Sequence, residues 1–271
     1  MEKIGNVVIC YQNEEEVINY AKQLSEQHNS KFIKLYIVFN KHGAMPIATF
    51  RKHLKDLNLD YTIIDLNKNI GYLNGLIEGA KNAILDNNYR WIVFSNTDIN
   101  INDKRFFEKI QNSKIYGDQN VWLVGPSVYA INQESYSNPY KVYRPSKFDY
   151  IRTNVGLTFP KLFDFLYRIK LKLRRSNAQV GNSGYVYAIH GSFMILRKEL
   201  IEILINKPAW ELLYDEEPYL SEIVRSNNKK VYFDNSLLVE HCEGASTGNT
   251  NLKWKYNIMK KSNKRILREF Y

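Results

Sequence analysis

The sequence predicts an α/β fold with a mostly parallel central sheet flanked by helices, and three observations carry that expectation. Apolar runs of strand length recur at residues 6–11, 32–39, 61–66 and 91–94. Stretches with helical spacing separate them, as right-handed crossovers between parallel strands require. Polar residues follow each run at its C-terminal end, where open α/β sheets bind ligands.

Taken in order, residues 6–11 give the first strand. Asn13-Glu14-Glu15-Glu16, with Val17, Tyr20, Ala21 and Leu24 behind it, reads as a capped amphipathic helix. The second strand, 32–39, ends at Asn40-Lys41-His42-Gly43, and helical spacing follows over 48–57. The third, 61–66, leads into a turn-rich loop over 67–75 that feeds a helix over 76–86. The fourth opens with Trp91-Ile92-Val93-Phe94, a buried-strand composition, and breaks into Ser95-Asn96-Thr97-Asp98.

Beyond Asp98 the pattern changes. A short helix is expected at 106–110 and a strand at 121–124; residues 127–146, rich in Tyr, Asn and Pro, read as a long irregular loop. An amphipathic basic helix is expected over 159–175, and strands at 185–189 and 193–196 flank His190-Gly191-Ser192. Helices follow at 198–205 and from about 219 to 226, then strands at 231–233 and 237–239 ahead of Glu240-His241. The last twenty residues are basic and aromatic. With no internal repeat or low-complexity linker, residues 1–271 read as one domain.

Composition bounds the function. With 271 residues and 44% hydrophobic content the chain can build a sizeable core. Its net charge of +10 implies an anionic partner: a nucleotide, phospholipid head groups, a phosphorylated lipid or a nucleic acid. Nucleic acid is disfavoured because no reader motif accompanies the charge. Two cysteines, Cys10 and Cys242, form no disulfide framework or zinc-type cluster, so a reducing, cytoplasmic setting is expected. No signal peptide is evident, and no apolar run approaches the roughly 20 residues that cross a bilayer. Any work at a membrane is expected to be peripheral, at its inner face.

Five motifs carry chemistry: Asn69-x-Gly71-Tyr72, Asn96-x-Asp98, His190-Gly191-Ser192-Phe193, Glu216-Glu217, and His241-x-Glu243-Gly244-x-Ser246-Thr247. In this order, over nearly the whole chain, the set resembles the family 2 glycosyltransferases of GT-A fold. It is most similar to the rhamnosyltransferase-like branch that builds bacterial capsular and other cell-surface polysaccharides.

The resemblance implies a nucleotide-sugar-binding half over residues 1–100, an acceptor-binding and catalytic half over 101–250, and a basic tail over 251–271. It implies an inverting transfer from a UDP- or dTDP-linked sugar to a saccharide acceptor, lipid-linked in this branch. Asn96-Thr97-Asp98 stands as the counterpart of the family's DxD motif, Asp98 a ligand of Mn²⁺ or Mg²⁺ and Asn96 its support. His241 resembles the histidine that completes the metal site. Glu217 resembles the general base, with Glu216 the alternative, although the family usually places Asp there.

Tyr11, Asn13, Asn40, Asn69, Gly71 and Tyr72 reach one edge of the sheet and are the donor-binding candidates. The acid that often follows the second strand in the family is replaced by Phe39, beside Asn40; Asp65 either substitutes or is structural. His190, Gly191 and Ser192 line the acceptor side, Gly191 allowing close backbone approach. The basic segments 159–175 and 253–268 either meet an anionic membrane surface or form a solvated helix face or homodimer contact.

Each residue also has a plainer reading. Asp98 caps a turn, His241 is a packed histidine, and Glu216-Glu217 starts a helix with acids at its positive end. The competing functions are a non-catalytic sugar-nucleotide or polyanion-binding subunit, and a nucleotidyltransferase that shares the sheet but consumes a nucleoside triphosphate.

Overall fold

The computed structural model describes residues 2–159, 165, 169, 181–242 and 252–271. The strands are β1 (Ile4–Tyr11), β2 (Ile33–Lys41), β3 (Asp60–Asp65), β4 (Trp91–Ser95), β5 (Ile99–Asn100), β6 (Val121–Ala130), β7 (Ser135–Tyr136), β8 (Gly184–Val186), β9 (Phe193–Arg197) and β10 (Lys230–His241). The helices are α1 (Glu14–Ser25), α2 (Ile47–Lys55), α3 (Tyr72–Asp86), α4 (Phe106–Asn112), α5 (Lys147–Gly156), α6 (Lys198–Ile205), α7 (Glu216–Ser226) and α8 (Leu252–Phe270).

The strands join in one sheet ordered β3-β2-β1-β4-β9-β6-β10-β5, with β7 beside β6 and β8 beside β10. β1, β2, β3 and β4 are mutually parallel, as the alternation of strands and helices requires. β9 runs antiparallel between β4 and β6, and β6 pairs parallel with β10. Because β1 connects toward β2 while β4 lies on its other side, the strand order reverses between β1 and β4. The crevice outside their C-terminal ends is therefore the expected ligand site.

Alternate residues of these strands face opposite layers, as a two-residue period dictates. Val8, Ile37, Val93 and Ile195 pack with α1, α2 and α4; Val7, Tyr36, Ile92 and Met194 pack with α3, α6 and α7. Fully burying each such aliphatic side chain stabilises the fold by roughly 1.5–3 kcal/mol. α3 lies close on the sheet because Gly79 has no side chain; a Cβ there would come within 2.4 Å of Val7 Cγ1 and 2.8 Å of Val38 Cγ2.

Several boundaries differ from the sequence expectation. α3 starts at Tyr72 instead of 76: Gly71, at φ +94°, turns the chain, and the Tyr72 N–H donates to the Leu212 carbonyl at 3.0 Å. α1 begins where expected, but Asn13 makes no side-chain cap. β6 runs to Ala130, well past Val124, because β10 pairs along it; the segment read as irregular also holds β7, and α5, which the sequence reading did not include, follows it. Ser146 and Asp149 form a reciprocal capping box at the start of α5. The strands expected at 231–233 and 237–239 are one strand, β10, whose pairing shifts register between Asp234 and Leu238. α7 starts at Glu216, three residues early, since Pro218 lies in the first turn, where no N–H is needed. β8 ends at Val186, short of residue 189. The expected helix over 159–175 lies outside the described residues except at 159, 165 and 169. The basic tail is helical, as α8.

Candidate active site

Long-range pairing assembles the crevice. Ser95 pairs with Phe193, and the Asn96 N–H donates to the Ser192 carbonyl at 2.8 Å, which brings His190-Gly191-Ser192 beside the end of β4. His241, at the end of β10, pairs with Ile99, and the Cys242 N–H donates to the Asp98 carbonyl at 3.0 Å. Asp98 Oδ1 thus lies 3.2 Å from His241 Nε2, both side chains largely buried. Asn96 Nδ2 is 3.3 Å from the same nitrogen.

The pair fits a divalent cation. Two ligands each about 2.1 Å from an ion and at right angles are about 3 Å apart, the spacing seen between these atoms. A carboxylate and an imidazole suit Mn²⁺ better than Mg²⁺. No group of three or more His, Cys, Asp or Glu able to hold a metal occurs among the described residues, so phosphate and water oxygens would supply the remaining positions. Ser246 and Thr247 lie outside the described residues.

Tyr72 bridges this pair to the acid side. Its hydroxyl donates to Asn96 Oδ1 at 2.7 Å and lies 3.1 Å from the Gly191 carbonyl. Burial, then the charges of Glu216, Asp98 and Glu217, push the phenol well above its ordinary pKa, so it remains a donor. On the other side of the same residue, the Gly191 N–H donates to Glu217 Oε1 at 3.1 Å. A Cβ on Gly191 would sit 2.9 Å from that oxygen, so the missing side chain makes room for the Glu217 carboxylate.

Three successive acids crowd at the start of α7. Tyr214 and Asp215 both adopt positive φ, which turns the chain into the helix. Glu216 is 6% exposed, and its Oε1 has no hydrogen-bond partner among the described residues. Burial, then Glu217, pushes its carboxyl well above the usual range. Glu217 is also raised by burial, opposed by its own backbone N–H, that of Gly191, and the Lys141 ammonium. Asp215 is raised to about 7 by burial and by Glu217, again opposed by Lys141. The three titrate as a coupled set.

His190 is held neutral. Its Nδ1 accepts from the Ser192 N–H at 3.3 Å and lies 2.9 Å from Ser192 Oγ, which places the ring proton on Nε2. Burial, then the neighbouring His241, lowers its pKa to about 4. Its backbone N–H donates to Asn138 Oδ1 at 2.6 Å, tying this strand end to the 138–141 loop.

On the donor edge the candidates divide. Asn13 Oδ1 accepts from the Tyr11 N–H at 2.7 Å, while its Nδ2 donates to Glu16 Oε2 at 2.8 Å and Thr97 Oγ1 at 2.7 Å. The Thr97 hydroxyl donates to Glu16 Oε2 at 3.0 Å, closing a polar triangle beside Asp98. A cleft of about 510 Å³ lies here, lined by Tyr11, Asn13, Glu16, Ala44 and Met45 among others, a volume within the usual range for small ligands. Asn40, Asn69 and Gly71 shape the backbone instead. Asn40 Nδ2 donates to the Gly71 carbonyl, and Asn69 Oδ1 accepts the Gly71 N–H, both at 2.9 Å. Of the Asn69-x-Gly71-Tyr72 motif, only Tyr72 reaches the end of β4, through Asn96. Phe39 stacks on His42, whose Nε2 is 2.8 Å from Asp65 Oδ2.

A second cavity, about 530 Å³, is lined by Glu2, Arg90, Trp91 and Gly117 and lies at the opposite end of β1 and β4, away from these residues. Glu16, Thr97 and Lys141 were missed as site residues in the sequence. Their contacts span 81 and 84 residues for the first two, and no local pattern marks Lys141.

No family model matches the chain, and no curated protein matches it in sequence. Among solved structures it is similar to a mannosyltransferase from Pyrobaculum calidifontis in complex with GDP-Man and Mn²⁺, at TM-score 0.57 and 11% identity, over 90% of this chain and 58% of that one. It is also similar to GalNAc-T7 with UDP, GalNAc and Mn²⁺, at TM-score 0.62 and 9% identity, over 98% and 50%. A third, S. aureus TarS residues 1–349, gives TM-score 0.55 and 12% identity over 89% and 60%. The chain spans between half and three fifths of the length of these structures. Identities this low speak to fold alone, and that fold is the GT-A fold of sugar-nucleotide glycosyltransferases.

Proposed function

We propose that the chain is an inverting, metal-dependent glycosyltransferase. It moves a sugar from a UDP- or dTDP-linked donor to a saccharide acceptor, lipid-linked, in cell-surface polysaccharide assembly. The observation that carries this reading is the convergence of Asp98 and His241, 3.2 Å apart, with Glu217 one peptide away through Gly191. The GDP-Man and UDP in the similar structures support a nucleotide-linked donor as the class. The choice of UDP or dTDP, and of the acceptor, rests on the motif resemblance.

Asp98 and His241, with Asn96 in support, would hold Mn²⁺ or Mg²⁺, which when bound offsets the charge of the departing diphosphate. Tyr11, Asn13 and Glu16 border the cleft for the nucleoside, with Thr97 hydrogen-bonded to Glu16 behind them. His190-Gly191-Ser192 lines the acceptor side. Glu217 takes the proton from the acceptor hydroxyl as that oxygen bonds to the anomeric carbon, and the bond to the nucleotide breaks on the opposite face with its electrons leaving on the diphosphate. Two backbone N–H groups and Lys141 favour the ionised form that this role needs. Glu216, more deeply buried and without a partner on Oε1 among the described residues, is the weaker candidate.

The test is donor turnover with UDP- and dTDP-sugars in the presence of Mn²⁺. Transfer or hydrolysis that is abolished by Asp98→Ala and Glu217→Gln supports the reading. Nucleotide binding without turnover would make the chain a binding subunit, and consumption of a nucleoside triphosphate would make it a nucleotidyltransferase.

A further inference from the structure

α5 is apolar on both faces. Tyr150, Asn154 and Leu157 point inward and are buried. Phe148, Ile151, Val155 and, just beyond the helix, Phe159 are 69%, 43%, 58% and 61% exposed. Their spacing of three and four residues sets them in one outward stripe, the reverse of a surface helix that turns polar residues to water. Tyr143, in the loop before α5, adds a side chain that is 85% exposed.

α8 packs beside α5 in the opposite direction. Lys147 Nζ, at the start of α5, reaches the Tyr271 carbonyl at 3.4 Å, and Lys260 Nζ meets Thr158 Oγ1 at 2.8 Å. The outer face of α8 exposes Lys253, Trp254, Asn257, Lys261, Lys264 and Arg268, again at helical spacing. Residues 141–159 and 252–271 hold eleven Lys and Arg against two Asp and Glu; the other 232 residues hold 27 against 26. Nearly all the net positive charge is therefore concentrated on the segment that carries the apolar stripe and on α8 packed beside it.

The geometry points to a membrane-docking face: α5 inserts Phe148, Ile151, Val155 and Phe159 among the acyl chains of an anionic lipid surface while the cations of α8 meet its head groups. Charge complementarity selects this occupant. A second copy would set one strongly cationic face against another, and a nucleic acid would leave the aliphatic and phenyl stripe without apolar surface to bury it. No helix among the described residues is long and apolar enough to cross a bilayer, so the contact is interfacial. The inference deepens the proposed function by naming where the protein meets a lipid-linked acceptor, but its test needs no turnover.

The test is co-sedimentation of the full chain with phosphatidylcholine vesicles, with and without phosphatidylglycerol. Binding is expected only when phosphatidylglycerol is present, weakening as salt rises. Lys261→Gln, Lys264→Gln and Arg268→Gln together should lower partitioning on the order of 100-fold, and Phe148→Ser, Ile151→Ser and Val155→Ser together by roughly tenfold or more. Unfolding midpoints of both variants verify that they fold; should the apolar variant fail, the charge variant decides alone. The proposal is overturned if wild type ignores anionic vesicles, or if a folded variant binds them as wild type does. It is equally overturned if the apolar changes only convert a dimer to a monomer, or if RNA binding survives them while vesicle binding was never present. Donor hydrolysis in the same preparations reports separately on the transferase reading.

Discussion

The two sides of the crevice are built in opposite ways. On the side of β1 and α1, Asn13, Thr97 and Glu16 satisfy one another by hydrogen bonds within 3.0 Å. On the side of α7, Asp215, Glu216 and Glu217 crowd together, and burial holds each of their carboxyls above its ordinary pKa. A mutually satisfied polar cluster is pre-shaped. Carboxyls that burial raises above their ordinary pKa are stronger proton acceptors, which is what a base for a hydroxyl group needs. Gly191 joins the two sides, its N–H on Glu217 and its carbonyl beside the Tyr72 hydroxyl.

The contrast breaks first at the base. Glu217→Gln should reduce transfer by roughly 100- to 10,000-fold while leaving nucleotide binding intact, a split read from steady-state rates beside a binding titration. Equal loss of both would assign Glu217 to folding. Gly191→Ala comes next. The added Cβ, 2.9 Å from Glu217 Oε1, should displace the carboxylate and cost on the order of tenfold or more in kcat at an unchanged unfolding midpoint.

pH sharpens the same difference. Burial, then Glu217, holds the Asp215 carboxyl at about 7, well above its ordinary 3.8. Between those values the folded state keeps a proton that the unfolded state has lost, so stability is greatest below the lower value and falls as pH rises toward about 7. Asp215→Asn should remove roughly 1–3 kcal/mol of that decline, seen as a flatter plot of unfolding midpoint against pH. In wild type, transfer should rise with pH beyond the ordinary carboxylate range, because burial raises the Glu217 carboxyl that must lose its proton to act as the base. The smallest effect belongs to the side of β1 and α1: Thr97→Val breaks two hydrogen bonds and should cost roughly 1–2 kcal/mol of stability, with no change in the pH profile.

Legibility in the sequence follows the same division. The parallel strands β1 to β4 were readable because each is a short apolar run bounded by polar residues, with a helix between. β6 and β10 were read short because Ser127 and the Asp234-Asn235-Ser236 break interrupt their apolar pattern, while pairing between them carries the strands through. The start of α3 was hidden because a carbonyl from residue 212, far along the chain, receives the Tyr72 N–H. Asn13-Glu14-Glu15-Glu16 reads locally as a capping box, yet Glu16 turns to Thr97 instead. That Asn96, Asp98 and His241 meet was foreseen through the motif resemblance; no spacing in the sequence places residues 96 and 241 within 3.3 Å.

The central claim is that Asp98 and His241 jointly bind a nucleotide diphosphate through a divalent ion. A thermal-shift titration with UDP and dTDP, each with and without Mn²⁺, on wild type and Asp98→Ala tests it most directly. Ligand at about 100 times its dissociation constant should add roughly 2.7 kcal/mol of apparent stability. The account predicts a rise in midpoint that needs nucleotide and Mn²⁺ together and disappears in Asp98→Ala. A rise of the same size without Mn²⁺, retained in Asp98→Ala, would contradict it.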